Sequence, residues 1–257
     1  MKAHESSVVH PDAQIAEDVV IGPGCVIGKD VTIGKGSVLG PHVIVEGITS
    51  IGENCRVFAG AILGTAPQDL KYRGEPTKLV IGNDNTIREY ATINRGTVSK
   101  GQTTIGNGNL IMAYAHIAHD CTIGNSTVLA NVATLAGHVE LEDKVIIGGI
   151  TPIHQFVRIG RLSIVGGASR VVKDVPPYCK AAGSPMKMAG LNTIGLERND
   201  VPEDVKKQLK MAYKMMFRSK VTTKQALENI EKQGGLSEEV MHFVEFIRKS
   251  ERGVCRE

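Results

Sequence analysis

The sequence predicts a mainly β protein: a parallel β-helix of about ten coils over residues 1–190, followed by a helical domain over residues 191–257. Three observations carry this expectation. An aliphatic residue recurs every six positions, glycine follows many of those aliphatics, and beyond Pro202 the apolar pattern changes to a helical spacing.

The repeat comes first. Stepping by six from Ile15 to Val171 visits 27 positions, and 24 of them hold Ile, Leu or Val; the exceptions are Asp69, Glu75 and Ser99. A helix turns about every 3.6 residues, so a face of period six would drift around it. Hexads instead read as a β-helix, in which three of them close one triangular coil of eighteen residues and each side is a short strand. Ala3 and Val9 extend the phase toward the N-terminus. With strands about 4.8 Å apart, ten coils give a prism on the order of 45 Å long. Aromatic residues make up only 4% of the chain, so its core must be aliphatic. Glycine after the aliphatic, as at Gly22, Gly34 and Gly52, permits a corner that a side chain would obstruct. Small or β-branched residues stand two places before it, among them Cys25, Cys55 and Cys121, which read as core thiols.

Two interruptions, over residues 65–80 and 95–104, read as loops leaving the solenoid, and such loops often serve binding. The repeat ends at "DVPPYC". Three helices then follow. "PEDVKKQLKMAYKMMFRS" has Pro and two acids in its first turn, Thr222 and Gln225 form a capping box, and Ser237 stands as an N-cap. Their Met and Phe residues read as core. Lys206, Lys207, Lys210, Lys214, Arg218, Lys220 and Lys224 form a basic run without an acid, either a solvated face or a docking surface for an acidic partner.

Composition narrows the classes. The longest apolar run is far short of a transmembrane span, the N-terminus lacks a signal-peptide core, and five cysteines without CxxC spacing suit a reducing compartment, so a cytoplasmic location is expected. A net charge of +3 is too small to suggest nucleic acid by itself.

The chemistry centres on "AHIAHDC". Residues eighteen apart stack in this fold, so His119 is followed by Gly137 and then Gln155, with His138 and His154 one place to either side. His119, His138 and His154 are thus expected along one edge, with His116 nearby. The HxxH spacing with an acid directly after the second His departs from the HxxxxH pair of trimeric β-helix carbonic anhydrases, and no metal is expected. A neutral imidazole can take a proton from a hydroxyl, a carboxylate can orient it, and a backbone N–H can receive an oxyanion. His119, Asp120 and Gly137 supply those three parts of an acyl-transfer site. Cys121 points inward by phase, so it is not a nucleophile.

"QDLKYRGEPT", "NRGT", "AHIAHDC", "LAGHV", "HQF", "VPPY" and "GLNTIGLER" occur in one order. Together they resemble the UDP-N-acetylglucosamine 3-O-acyltransferase family over essentially the whole chain. That resemblance implies left-handed coils and a homotrimer with active sites between adjacent subunits. It implies transfer of an (R)-3-hydroxyacyl group from acyl carrier protein to the sugar 3-hydroxyl of UDP-N-acetylglucosamine, the first step of lipid A synthesis, without a cofactor. It gives His119 as general base, Asp120 as its partner and Gly137 as oxyanion donor. Asp69, Lys71, His116, His138 and Gln155 correspond to sugar and phosphate contacts, and Asn192 and Arg198 to the nucleotide end. Gly149 and Gly167 correspond to the acyl-chain channel, where a residue matching Gly167 acts as a ruler and glycine implies a long chain.

The sequence departs from the family at Asn94, where members have His, at Ile194, where some carry an acid, and at Asn199, where a second Arg stands. These leave room for a 3-amino sugar as acceptor. An N-acyltransferase, a coenzyme A-dependent acetyltransferase and a non-enzymatic β-helix are the alternatives. The last predicts regular Thr ladders and no histidine column, the opposite of this sequence.

Overall fold

In a computed structural model, residues 1–255 of the chain are described. The chain winds left-handed into a triangular parallel β-helix. Its first face starts with Lys2–Ala3 and holds eleven strands, of which all but the last run parallel; the second and third faces, from Val8–Val9 and Gln14–Ile15, hold eight each. Ten parallel levels on the first face agree with the number of coils the hexads imply.

Most strands are two residues long, one side chain inward and one outward, the period-two alternation of a strand. The inward residue is the hexad aliphatic, and Ile27, Leu63, Ile117 and Leu135 are all buried. The small residue two places earlier is buried as well. There Cys25, Ser37 and Cys121 donate to the carbonyls of Gly40, Gly52 and Ala136, each fifteen residues on. The glycine that follows the aliphatic does not make the corner by its backbone angle. A Cβ on Gly22 would lie 2.8 Å from the backbone of Gly40 in the next coil, so close stacking is what requires glycine. The left-handed residue of each corner lies two places further on and is often not glycine, as at Tyr90, Tyr114, Asp120, His138 and Ile150.

Strand partners are eighteen residues apart along most of the solenoid, Val20 on Val38 and His116 on Thr134. Across the first loop they are thirty apart (Arg56 on Thr86), and across the second twenty-four (Thr92 on His116). The net insertions are therefore twelve and six, both multiples of the hexad, which keeps the aliphatic phase unbroken. The loops are shorter than the sequence suggested, because Lys78–Ile81 and Gln102–Ile105 form strands.

Tyr90, Tyr114, Val132 and Ile150 project from the edge between the first and second faces as an exposed apolar ridge. Tyr90 and Tyr114 stack with centroids 5.3 Å apart. The far end of the prism is closed by a hairpin of Cys179–Ala182 and Lys187–Leu191. Four helices follow: α1 (Thr193–Arg198), α2 (Glu203–Phe217), α3 (Thr223–Glu231) and α4 (Glu238–Arg248). The Thr222–Gln225 capping box and the Ser237 N-cap are both present. Met216, Phe217, Phe243 and Phe246 are core, whereas Met241 is exposed. The tail returns to the last coil, where the Ser250 hydroxyl donates to Asp174 at 2.6 Å.

Candidate active site

His119 and Asp120 form the turn between strands His116–Ile117 of the second face and Thr122–Ile123 of the third. One coil on, Gly137 and His138 occupy the same turn. Asp120 and His138 have φ of 59° and 62°, a left-handed backbone that aims both side chains at one spot on the edge. The His119 ring lies against Gly137, where a Cβ would come within 2.5 Å of its Cε1. The His119 and His138 rings meet edge to face at 5.3 Å.

The carboxylate of Asp120 is fully buried, and it is held from every side. Its Oδ2 accepts from Thr97 Oγ1 at 2.6 Å and pairs with His119 Nδ1 at 2.8 Å. Its Oδ1 accepts from the backbone N–H of Thr97 at 2.9 Å and of Lys100 at 3.3 Å. His138 Nε2 stands 3.6 Å from Oδ2. Burial alone would raise the Asp120 pKa, but these hydrogen bonds outweigh it and hold the carboxyl below its ordinary value. An ionised carboxylate only accepts, so His119 Nδ1 carries a proton, and in the neutral imidazole Nε2 keeps a lone pair. Burial also holds His138 below its ordinary pKa, against the pull of the Asp120 and Asp69 carboxylates, and does the same for His116. Both are neutral at neutral pH.

His119, Asp120 and His138 could offer three ligand atoms, all within 4.8 Å of one another, to a metal ion. Asp120, however, already has four donors around it, and His119 Nδ1 serves it as one of them. The donor set fits a proton-transfer dyad. Burial pushes the Cys121 thiol up to about 12, which removes it as a nucleophile, as its phase implied.

The other expected residues divide into two groups. His116 is beside the corner, its Nδ1 2.7 Å from Thr92 Oγ1. Asp69 accepts from the Lys71 N–H in a tight turn of the first loop, and the Lys71 side chain is exposed. Gln155 is exposed in the turn one coil past Gly137. His154 does not join the column: it is exposed, and the ring stacked on His138, at 4.5 Å, is Phe156. Phe156 is eighteen residues from His138, whereas His154 continues the line of Ala118 and Ala136.

Gly149 and Gly167 do stack on each other, but in the turn between the first and second faces, a different edge from His119. Asn192 and Arg198 sit over the first face. Asn192 is buried as the cap of α1, accepting from Gly195 N–H at 3.1 Å and donating to Leu162 O at 2.8 Å. Arg198, Ile194 and Asn199 line a cavity of about 480 Å³ there. Asn94, 2% exposed, is interior: it donates to Thr65 Oγ1 and Ala66 O, bracing the base of the first loop.

Thr97 and Lys100, which bond Asp120, and Phe156, which stacks on His138, also belong to the site. Thr97 is in the quoted "NRGT", so the motif pointed at the segment, but a six-residue insertion hides which corner it folds over.

Two family models match the chain: that described as UDP N-acetylglucosamine O-acyltransferase, domain 2, over residues 174–255, and the bacterial transferase hexapeptide (six repeats) over residues 12–47 and 102–137. The chain is 48% identical over 257 residues, 100% of each chain, to the acyl-[acyl-carrier-protein]–UDP-N-acetylglucosamine O-acyltransferase of Anaeromyxobacter sp.. It is 50% identical over 254 residues, 98% of each, to the protein of that name from Thermodesulfovibrio yellowstonii. The crystal structure of UDP-N-acetylglucosamine O-acyltransferase from Moraxella catarrhalis is similar with a TM-score of 0.96 and 44% identity, over 100% of each chain.

Proposed function

Because the chain belongs to the UDP-N-acetylglucosamine O-acyltransferase family, we propose that it moves an (R)-3-hydroxyacyl group from acyl carrier protein to the 3-hydroxyl of UDP-N-acetylglucosamine in lipid A synthesis. The observation that carries the mechanism is the buried Asp120 carboxylate bonded at 2.8 Å to His119 Nδ1, which leaves Nε2 free at the edge. His119 Nε2 takes the proton of the sugar hydroxyl as its oxygen attacks the thioester carbonyl. The imidazolium that forms is stabilised by Asp120. The Gly137 N–H, which donates to no other backbone group among the described residues, receives the developing oxyanion. Collapse breaks the carbon–sulfur bond, and His119 returns the proton to the departing thiolate.

Two features support a homotrimer. The His119 corner lies between the second and third faces, whereas Asn192 and Arg198 sit over the first face and Gly149 and Gly167 on its edge with the second, so a site using all of them draws on two subunits. The apolar ridge from Tyr90 to Ile150 gives such an assembly a surface to bury. Among the described residues no helix is long and apolar enough to cross a membrane, and we place the enzyme in the cytoplasm, where its carrier-protein donor is made. The donor's carrier protein is assigned to the exposed lysines of α2.

The test is a transfer assay with hydroxyacyl carrier proteins of several lengths against UDP-N-acetylglucosamine and its 3-amino analogue, using wild-type protein and His119→Ala. O-acylation by wild type, lowered about 10²–10⁴-fold in the variant, is expected. Transfer from coenzyme A thioesters alone, to the amine alone, or with His119→Ala near wild type, would overturn the reading.

A further inference from the structure

The first-face cavity holds more positive charge than the residues assigned to it. It is lined by Lys144, Lys180 and Arg198, with no carboxylate among its lining residues, above a floor of Val128, Ile146 and Ile164. Three lysines elsewhere on the molecule are paired with carboxylates, Lys100 with Glu140, Lys206 with Glu203 and Lys249 with Glu245. Lys144 and Lys180 have no such ion pair among the described residues. Lys144 stands in a left-handed turn (φ 59°), and its Nζ donates to Asn199 Oδ1 at 2.6 Å. Asn199 is itself fixed at the end of α1, its Nδ2 donating to Gly195 O at 2.9 Å. The asparagine that replaces the second arginine thus holds a lysine from the solenoid at the rim.

An apolar floor with three cations and no acid suits one ligand chemistry: a flat heterocycle carrying two phosphates. The base covers aliphatic side chains, and the ammonium groups meet phosphate oxygens as charge-assisted hydrogen bonds. We propose that Lys144 and Lys180, with Arg198, clamp the diphosphate of a nucleoside diphosphate sugar, and that Asn199 positions Lys144 for it. This rests on the nucleotide-sugar reading above, and it replaces the missing arginine by a lysine from another part of the chain.

The experiment is calorimetric titration of the full-length protein with UDP and with uridine. Wild type is compared with Lys144→Met, Lys180→Met and Asn199→Ala. Each lysine variant is expected to weaken UDP binding by roughly tenfold or more, with uridine unaffected, since a hydrogen bond to a charged group is lost while the floor is intact. Asn199→Ala should weaken UDP by less, and Lys144→Arg should restore it. UDP affinity unchanged in both lysine variants, or UDP and uridine weakened equally, would overturn the assignment. Wild-type protein that binds neither ligand would overturn the nucleotide reading itself.

Discussion

Replacing Gly137 by alanine should disable the enzyme without unfolding it. An ideal Cβ there lies 2.5 Å from His119 Cε1, 2.7 Å from Nε2 and 3.1 Å from Nδ1. Ordinary carbon contacts begin near ~3.5 Å, so the ring must retreat by about 1 Å. Gly137 is not among the left-handed residues, so alanine fits its backbone, and the atom that must move is the far end of a side chain. The cost therefore falls on the imidazole. A shift of about 1 Å breaks the geometry of the 2.8 Å bond to Asp120 or swings Nε2 off the hydroxyl, and such misplacement costs about 10²-fold in rate. Steady-state turnover with acyl carrier protein, beside a thermal melt, reads both effects: kcat should fall about a hundredfold and Tm should hardly move. Alanine keeps the N–H, so in a His119→Ala background the same substitution should cost little more. A Gly137→Ala enzyme with turnover within about threefold of wild type would refute the view that ring placement is what glycine serves here.

Thr97→Val keeps the main-chain bond to Asp120 but removes the hydroxyl donor at 2.6 Å. The carboxyl pKa should rise, so the acid limb of the rate profile should move to higher pH, with Thr97→Ser behaving as wild type; superimposable profiles would exclude Thr97 from positioning the dyad. Reversing charge at Lys207 and Lys210 should raise KM for acyl carrier protein at low salt and leave KM for the nucleotide sugar alone. If both constants hold, the lysines are only solvated surface. Stability should fall on acidification. His116, His138 and Asp120 all have folded pKa values below their ordinary ones, so the unfolded chain binds more protons. The histidine contribution is complete above about pH 6.5 and is lost as pH drops below it, with the Asp120 contribution following below about pH 4. Melting temperature should therefore drop between neutral pH and pH ~5, and His116→Gln should flatten the slope; an unchanged slope in that variant would clear His116.

Much of this was legible because the fold is arithmetic. Six gives the face, eighteen gives the neighbour, and the 24 aliphatic positions declare both. The stacking of His119 under Gly137 followed from it. The same arithmetic separates Gly149 from Gly137 by twelve residues, two faces of the prism, which is why the glycine pair sits on another edge. It also places Phe156, not His154, beside His138. Thr97 was beyond its reach: inside an insertion the chain leaves the lattice, and only hydrogen bonding decides which corner it covers. Asn94 looked like a ligand-contact departure because sequence cannot show that a polar side chain faces inward to hold up a loop.

The two insertions of twelve and six residues have a bearing on how such a chain can change in length. The solenoid is read like a text with nested frames. Loss of one residue within a coil turns every later inward aliphatic outward. Loss of six preserves the core but rotates everything downstream by one face, carrying Gly137 and His138 off the edge that His119 occupies. Only eighteen returns each later residue to its own edge. Between His119 and Gly137 the frame permits no edit at all, because one coil is the smallest unit and it is already there. Lengthening near the catalytic corner is therefore confined to excursions that leave and re-enter the lattice at one corner, as the loop bearing Thr97 does.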